Sequence, residues 1–167
     1  MMKTERILLI SDTHGHHKNL QEVIRREEPF DRALHMGDTE GYDLVIQQIV
    51  GAPLDVVAGN CDWASDMPSE KIVTIGGVRI FMTHGHEYYV TTGMEVLRDQ
   101  AMSCGCQVAL FGHTHRPYFE QCGGVLVANP GSISRPRQAG YEPSYGILLI
   151  DETGVPQINL RFLENIC

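Results

Sequence analysis

The apolar positions follow one grammar in the first sixty residues and another in the remainder. Ile7-Leu8-Leu9-Ile10 is an unbroken apolar run, the pattern of a strand covered on both faces. From His17 to Glu27, Leu20, Val23 and Ile24 recur at helical spacing. Ala33-Leu34-His35-Met36 predicts a second strand ending at Gly37. Tyr42 to Val50 predicts a second helix through Leu44, Val45 and Ile49, closed by Gly51. Val56-Val57-Ala58 predicts a third strand ending at Gly59. Strand, helix, strand, helix, strand implies two parallel crossovers.

Beyond residue 70 hairpins dominate. Ile72–Ile75 and Val78–Met82 flank Gly76-Gly77, a two-residue turn. Tyr118–Gln121 and Val125–Val127 flank Gly123-Gly124, and 145–150 and 158–162 flank a loop containing Gly154. One helix is expected over 91–103, carrying Met94, Val96, Leu97 and Met102, and Val108–Phe111 reads as a buried strand. A parallel half followed by an antiparallel half predicts an α/β fold of two packed mixed sheets flanked by helices. No linker or repeat interrupts the pattern, so residues 1–167 are expected to form one domain.

Composition narrows the function. Thirteen Lys+Arg against 21 Asp+Glu give a formal charge of −8, which disfavours nucleic acid and anionic membranes as partners. No apolar run approaches the roughly 18 residues of a membrane span, and the run after Arg6 is too short for a signal peptide. Five cysteines without a secretion signal fit a reduced, cytoplasmic protein rather than a disulfide scaffold.

The candidate chemistry lies where strands end. Five apolar runs lead into Asp12-Thr13-His14, Gly37-Asp38, Gly59-Asn60-Cys61-Asp62, His84-Gly85-His86 and Gly112-His113-Thr114-His115. Alone, each is an ordinary turn or helix cap. Together they deliver Asp12, His14, Asp38, Asn60, His84, His113 and His115 to the carboxyl edge of an α/β sheet, where ligands bind. Oxygen and imidazole donors without thiolate suit Mn, Fe, Co, Ni or Zn. Seven ligands are too many for one metal with an open position. They suit two metals about 3.5–4 Å apart that share a carboxylate and clamp an in-line displacement at phosphorus. Two dications against two carboxylates and a hydroxide leave about one positive charge for a phosphate oxygen.

These segments, in this order, resemble the signature of the calcineurin-like metallophosphoesterases, and the resemblance spans residues 7 to about 150. It is nearest to the small single-domain phosphodiesterases of bacteria and archaea, which share Asn129-Pro130-Gly131-Ser132 and Ser144-Tyr145-Gly146. The resemblance implies a four-layer α/β/β/α sandwich. It implies that Asp12, His14 and His115 hold one metal, that Asn60, His84 and His113 hold another, and that Asp38 bridges them. Mn is the expected metal, with Fe, Ni, Co or Zn as alternatives. A hydroxide bridging the metals would attack a small phosphoester. Where the wider family has a histidine after the Asn, regarded as the acid for the leaving group, this chain has Cys61, with His86 or Asp62 as substitutes.

Other residues carry weaker expectations. Arg135 and Arg137, after the Asn-Pro-Gly-Ser turn, are candidates to clamp the substrate phosphate. His16 and His17 are expected to be solvated at a helix start, His35 to be a satisfied core histidine, and Trp63 to pack on the rim of the site. A homodimer is the default assembly. The rival function is a non-catalytic, retromer-type scaffold using the same fold for protein contacts. Such scaffolds usually lack some ligand histidines, whereas all seven positions are filled here.

Overall fold

A computed structural model describes residues 3–164. Strands β1 (Glu5–Ile10), β2 (Arg32–His35) and β3 (Leu54–Val56) are parallel neighbours, joined by α1 (Lys18–Glu27) and α2 (Asp43–Val50). On the other side of β1, β9 (Ser144–Ile150) and β10 (Pro156–Phe162) add antiparallel, giving the order β10-β9-β1-β2-β3. The second sheet has the order β4-β5-β6-β8-β7. It comprises β4 (Glu70–Ile75), β5 (Val78–Thr83), β6 (Val108–Leu110), β7 (Pro117–Cys122) and β8 (Val125–Pro130). Helix α3 (Glu95–Ser103) packs against β6 and β8.

The unbroken apolar runs are explained by the layering. Side chains alternate across a strand, so Ile7 and Leu9 face the second sheet and pack with Ile80, Met82, Val108 and Leu110. Leu8 and Ile10 face the other way, onto Leu20, Val23 and Ile24 of α1 and Ile46 and Val50 of α2. In the second sheet Phe81, Ala109 and Val127 meet Leu97 and Ala101 of α3. The four layers are helix, sheet, sheet, helix, as expected. At ten residues α1 is too short to persist alone. Its three buried aliphatics, each worth about 1.5–3 kcal/mol, hold it. Its last residue, buried Glu27, accepts hydrogen bonds from Arg6, Tyr145 and Arg161, tying the helix to β1, β9 and β10.

Three expectations need correction. The third strand ends at Val56 rather than Ala58, because the Ala58 N–H leaves the ladder to bond the Pro68 carbonyl. In α2 the buried face is Ile46 and Val50, which pack toward Leu8 and Ile10, while Leu44 and Val45 face solvent. The third helix begins at Glu95, preceded by a 3-10 turn over His86–Tyr88, and buries Leu97 and Ala101 rather than Val96 and Met102.

Candidate metal centre

The carboxyl ends of β1, β2, β5 and β6 and the loop after β3 meet at one place. Asp12, His14, Asp38, His113 and His115 all have positive φ, between 46° and 69°. Left-handed backbone costs a non-glycine residue roughly 1–2 kcal/mol, and such strain gathers at functional sites. The surroundings impose it. The Asp12 N–H donates to Gly37 O and the His14 N–H to Asp38 O, lacing the β1 loop to the β2 loop. The Ser132 and Ser134 hydroxyls both donate to the Asp12 carbonyl at 2.9 Å. Asn129 Nδ2 donates to Gly112 O at 2.9 Å and holds the His113 loop. Gly112 is required by close approach: a Cβ there would lie 2.1 Å from Ser11 Oγ and 2.7 Å from Asp12 Oδ2.

One donor atom from each of Asp12, His14, Asp38 and His115, all buried, lies within 4.8 Å of the other three, close enough to hold a metal ion. His115 Nδ1 donates to the Arg135 carbonyl at 2.7 Å and His84 Nδ1 to the Met36 carbonyl at 2.6 Å. His14 Nδ1 contacts Glu40 Oε1 at 2.7 Å. Each of these outer contacts puts the imidazole proton on the outer nitrogen and turns an Nε2 lone pair inward. Inside, His115 Nε2 is 3.1 Å from Asp12 Oδ1 and from His14 Nε2, and His84 Nε2 is 3.3 Å from Asp38 Oδ2. Asp12 Oδ1 and His84 Nε2 are buried without a hydrogen-bond partner among the described residues. Lone pairs facing lone pairs in a buried site are what a divalent cation satisfies, so the residues fit a metal. On the other side of Asp38, His113 Nδ1 lies 2.9 Å from Asn60 Oδ1, with the His84 and His113 rings 5.2 Å apart. All seven expected ligand positions therefore gather at one edge.

The electrostatics follow from the crowding. Burial acts to raise the Asp12 carboxyl, but the His115, His14 and His84 imidazoles around it outweigh that and hold Asp12 below the usual carboxylate range. Burial acts to lower His84, and the Asp38 carboxylate overcomes it and raises the imidazole. Burial, with His84 close by, lowers both His86 and His113.

The remaining expectations separate. His86 is half-buried, its ring 5.5 Å from that of His84 and 6.0 Å from that of His113. The Cys61 N–H donates to Asp38 Oδ1 at 2.8 Å, and burial together with the Asp38 charge pushes its thiol up to about 11. Asp62 is no acid for a leaving group. Its buried carboxylate accepts the N–H groups of Asp38, Thr39, Glu40 and Gly59. Trp63 does not pack on the rim: Asp62 turns inward, so the next side chain points out, and the indole is 88% exposed. His35 is a satisfied core histidine: Nδ1 accepts the Gly37 N–H and Nε2 donates to Thr13 Oγ1. His16 is exposed, and His17 stands at the N-cap position of α1 without a side-chain capping bond, its half-buried ring edge-on to Tyr42. Both Arg135 and Arg137 have exposed side chains, and only Arg137 lines a hollow beside His113. Sequence reasoning missed Glu40, Ser132, Ser134 and the structural duty of Asp62. Ser132 carried a signal as part of the Asn-Pro-Gly-Ser turn; Glu40 carried none.

A chain with this centre on this sandwich belongs to the calcineurin-like phosphoesterase superfamily, whose domain model matches residues 6–153. The probable metallophosphoesterase YsnB of Bacillus subtilis is 38% identical over 146 residues, covering 87% of this chain and 84% of that one. A phosphodiesterase of Methanocaldococcus jannaschii is 31% identical over 165 residues, covering 86% and 92%. Among solved structures, a conserved uncharacterized protein from Streptococcus pneumoniae TIGR4, a predicted phosphoesterase, superposes with a TM-score of 0.80 at 28% identity. The match covers 96% of this chain and all of that one. Vacuolar Protein Sorting 29 from Cryptosporidium parvum shares the fold, with a TM-score of 0.76 at 18% identity over 97% and 99% of the two chains. No helix of the described residues is long and apolar enough to cross a membrane.

Proposed function

We propose that this chain, as one domain, hydrolyses a small phosphodiester with two divalent cations. Asp12, His14 and His115 would hold one, Asn60, His84 and His113 would hold the other, and Asp38 would be shared between them. The observation that carries this reading is the cluster of Asp12, His14, Asp38 and His115 within 4.8 Å, with imidazole lone pairs turned toward carboxylates. Cations held there would supply Lewis acidity, easing the deprotonation of water at neutral pH and offsetting charge on the phosphoryl oxygens. Mn²⁺ is the expected metal, and the same donors accept Fe, Co, Ni or Zn.

The protein's own residues do the rest. Glu40, Met36 O and Arg135 O fix the three imidazole tautomers from outside. Arg137 and Arg116 line the hollow beside His113, where a guanidinium can meet a substrate oxygen. Arg135 acts through its carbonyl. The Cys61 thiol, pushed up to about 11, is a weak proton donor to the leaving group at neutral pH, and burial lowers the His86 imidazole, so esters with poor leaving groups are expected to turn over slowly.

The test is Mn²⁺-dependent hydrolysis of bis(p-nitrophenyl) phosphate, with p-nitrophenyl phosphate alongside and Asp38→Ala as control. Faster turnover of the diester, abolished in Asp38→Ala, is expected. Metal binding without turnover of either ester would favour the scaffold reading instead.

A further inference from the structure

The centre stands between two hollows of opposite charge. One, of about 880 Å³, opens beside Asn60 and Cys61 and is walled by Glu40, Asp43, Asp62, Trp63, Asp66 and Met67, with no lysine or arginine. The other, of about 460 Å³, opens beside His113 and is lined by Arg116, Arg137, Phe111 and Tyr118, with no carboxylate. They meet at the Asn60–His113 pair, whose polar atoms are 2.9 Å apart. A diester with its phosphorus over the centre can therefore extend one ester arm into each hollow.

The larger hollow has an uncommon combination of walls. The carboxylates of Asp62 and Glu40 already have partners, the first in backbone N–H groups and the second in His14. Asp43 and Asp66 take part in no ion pair with Lys or Arg among the described residues. The Trp63 indole is left 88% exposed at the same wall. A large aromatic face in water beside unpaired carboxylates is unfavourable for an anionic or purely aliphatic guest. It suits an organic cation, which gains from the ring quadrupole and the carboxylates together.

The geometry points to an asymmetric substrate: a phosphodiester of an amino alcohol, its ammonium arm seated between Trp63, Asp43 and Asp66 and its other arm toward Arg116 and Arg137. This rests on the proposed phosphodiesterase reading and specifies its substrate class. The arrangement also sets direction, because a substrate turned end for end would place its cation against two guanidiniums. A phosphate monoester gains nothing from the larger hollow.

Trp63 is the only tryptophan of the chain, so its fluorescence reports on this hollow without any turnover. Titration of the Mn²⁺-loaded protein with choline is expected to give a saturable fluorescence change, whereas 3,3-dimethylbutanol, the neutral isostere with carbon in place of nitrogen, gives none. The change is expected to weaken at least tenfold in the Asp43→Asn/Asp66→Asn variant. In parallel, p-nitrophenyl phosphorylcholine is expected to exceed p-nitrophenyl 3,3-dimethylbutyl phosphate at least tenfold in kcat/KM, with the advantage lost in that variant and in Trp63→Leu. Glycerophosphocholine and phosphatidylcholine vesicles, as competitors, distinguish a soluble from a lipid source of the same headgroup. Equal responses to choline and its isostere, or equal turnover of the two esters, would overturn the inference and leave the phosphodiesterase standing. A saturable choline response with no turnover of any diester would instead overturn the phosphodiesterase and keep the cation site.

Discussion

The Asp62 carboxylate accepts the backbone N–H of Asp38 at 2.7 Å, so one carboxylate holds the loop that presents another. It also accepts from Thr39, Glu40 and Gly59, fixing the segment after β2 to the segment after β3. Asp62→Asn replaces one acceptor oxygen by an NH₂ facing backbone N–H groups. The expected cost is about 3 kcal/mol, a fall in melting temperature of about 10 °C. Mn²⁺ affinity is expected to weaken 10–100-fold. Thermal melts and metal titration check both, and an unchanged Mn²⁺ affinity would show that the loop keeps its position without Asp62.

Gly59 offers a sharper probe of the same segment. A Cβ at this position would sit 2.1 Å from Asp38 Oδ1 and 2.6 Å from Asp38 N. In Gly59→Ala the Asp38 carboxylate must move. Metal-dependent diester turnover is expected to drop about 100-fold, the usual consequence of misplacing a reacting group by about 1 Å. Circular dichroism should remain that of the parent. Retained activity in a folded Gly59→Ala protein would contradict a central role for Asp38.

Much of this was legible in the residues. The unbroken run Ile7–Ile10 signalled burial on both faces, which the sandwich supplies through Leu8 and Ile10 on one side and Ile7 and Leu9 on the other. The order of the Asp, Asn and His segments led to one edge because parallel strands share a carboxyl end. What stayed hidden depended on distance in sequence. Glu40 reaches His14 across 26 positions, and Ser134 reaches the Asp12 carbonyl across 122. Helix phase was misjudged in α2 because its apolar residues, Leu44, Val45, Ile46, Ile49 and Val50, ring most of the helix and leave the register to the loop before it.

His35 predicts an acid limb of stability. Burial lowers its imidazole to about 4 from an ordinary value of 6.5. Between those values the unfolded chain binds a proton that the folded chain does not, so stability is present above pH 6.5 and is lost as pH falls toward 4. The contribution is about 3 kcal/mol. His35→Asn is expected to lose about that much less than the parent over this range in urea titrations at each pH. Parallel pH profiles for the two proteins would contradict a buried neutral His35.

Cys61 predicts selectivity among leaving groups. Its thiol, pushed up to about 11, protonates a poor leaving group weakly. Cys61→His is expected to raise turnover of an alkyl diester at least tenfold and to leave p-nitrophenyl esters, which need no acid, nearly unchanged. Equal effects on both ester classes would place the acid elsewhere.

The most direct test of the two-metal centre is to titrate chelator-treated protein with Mn²⁺, following bound metal and diester turnover together. Turnover should rise to a plateau at two equivalents per chain, and Asp38→Ala should bind less metal and stay inactive. Full turnover at one equivalent, or two tightly bound equivalents without turnover, would contradict the account.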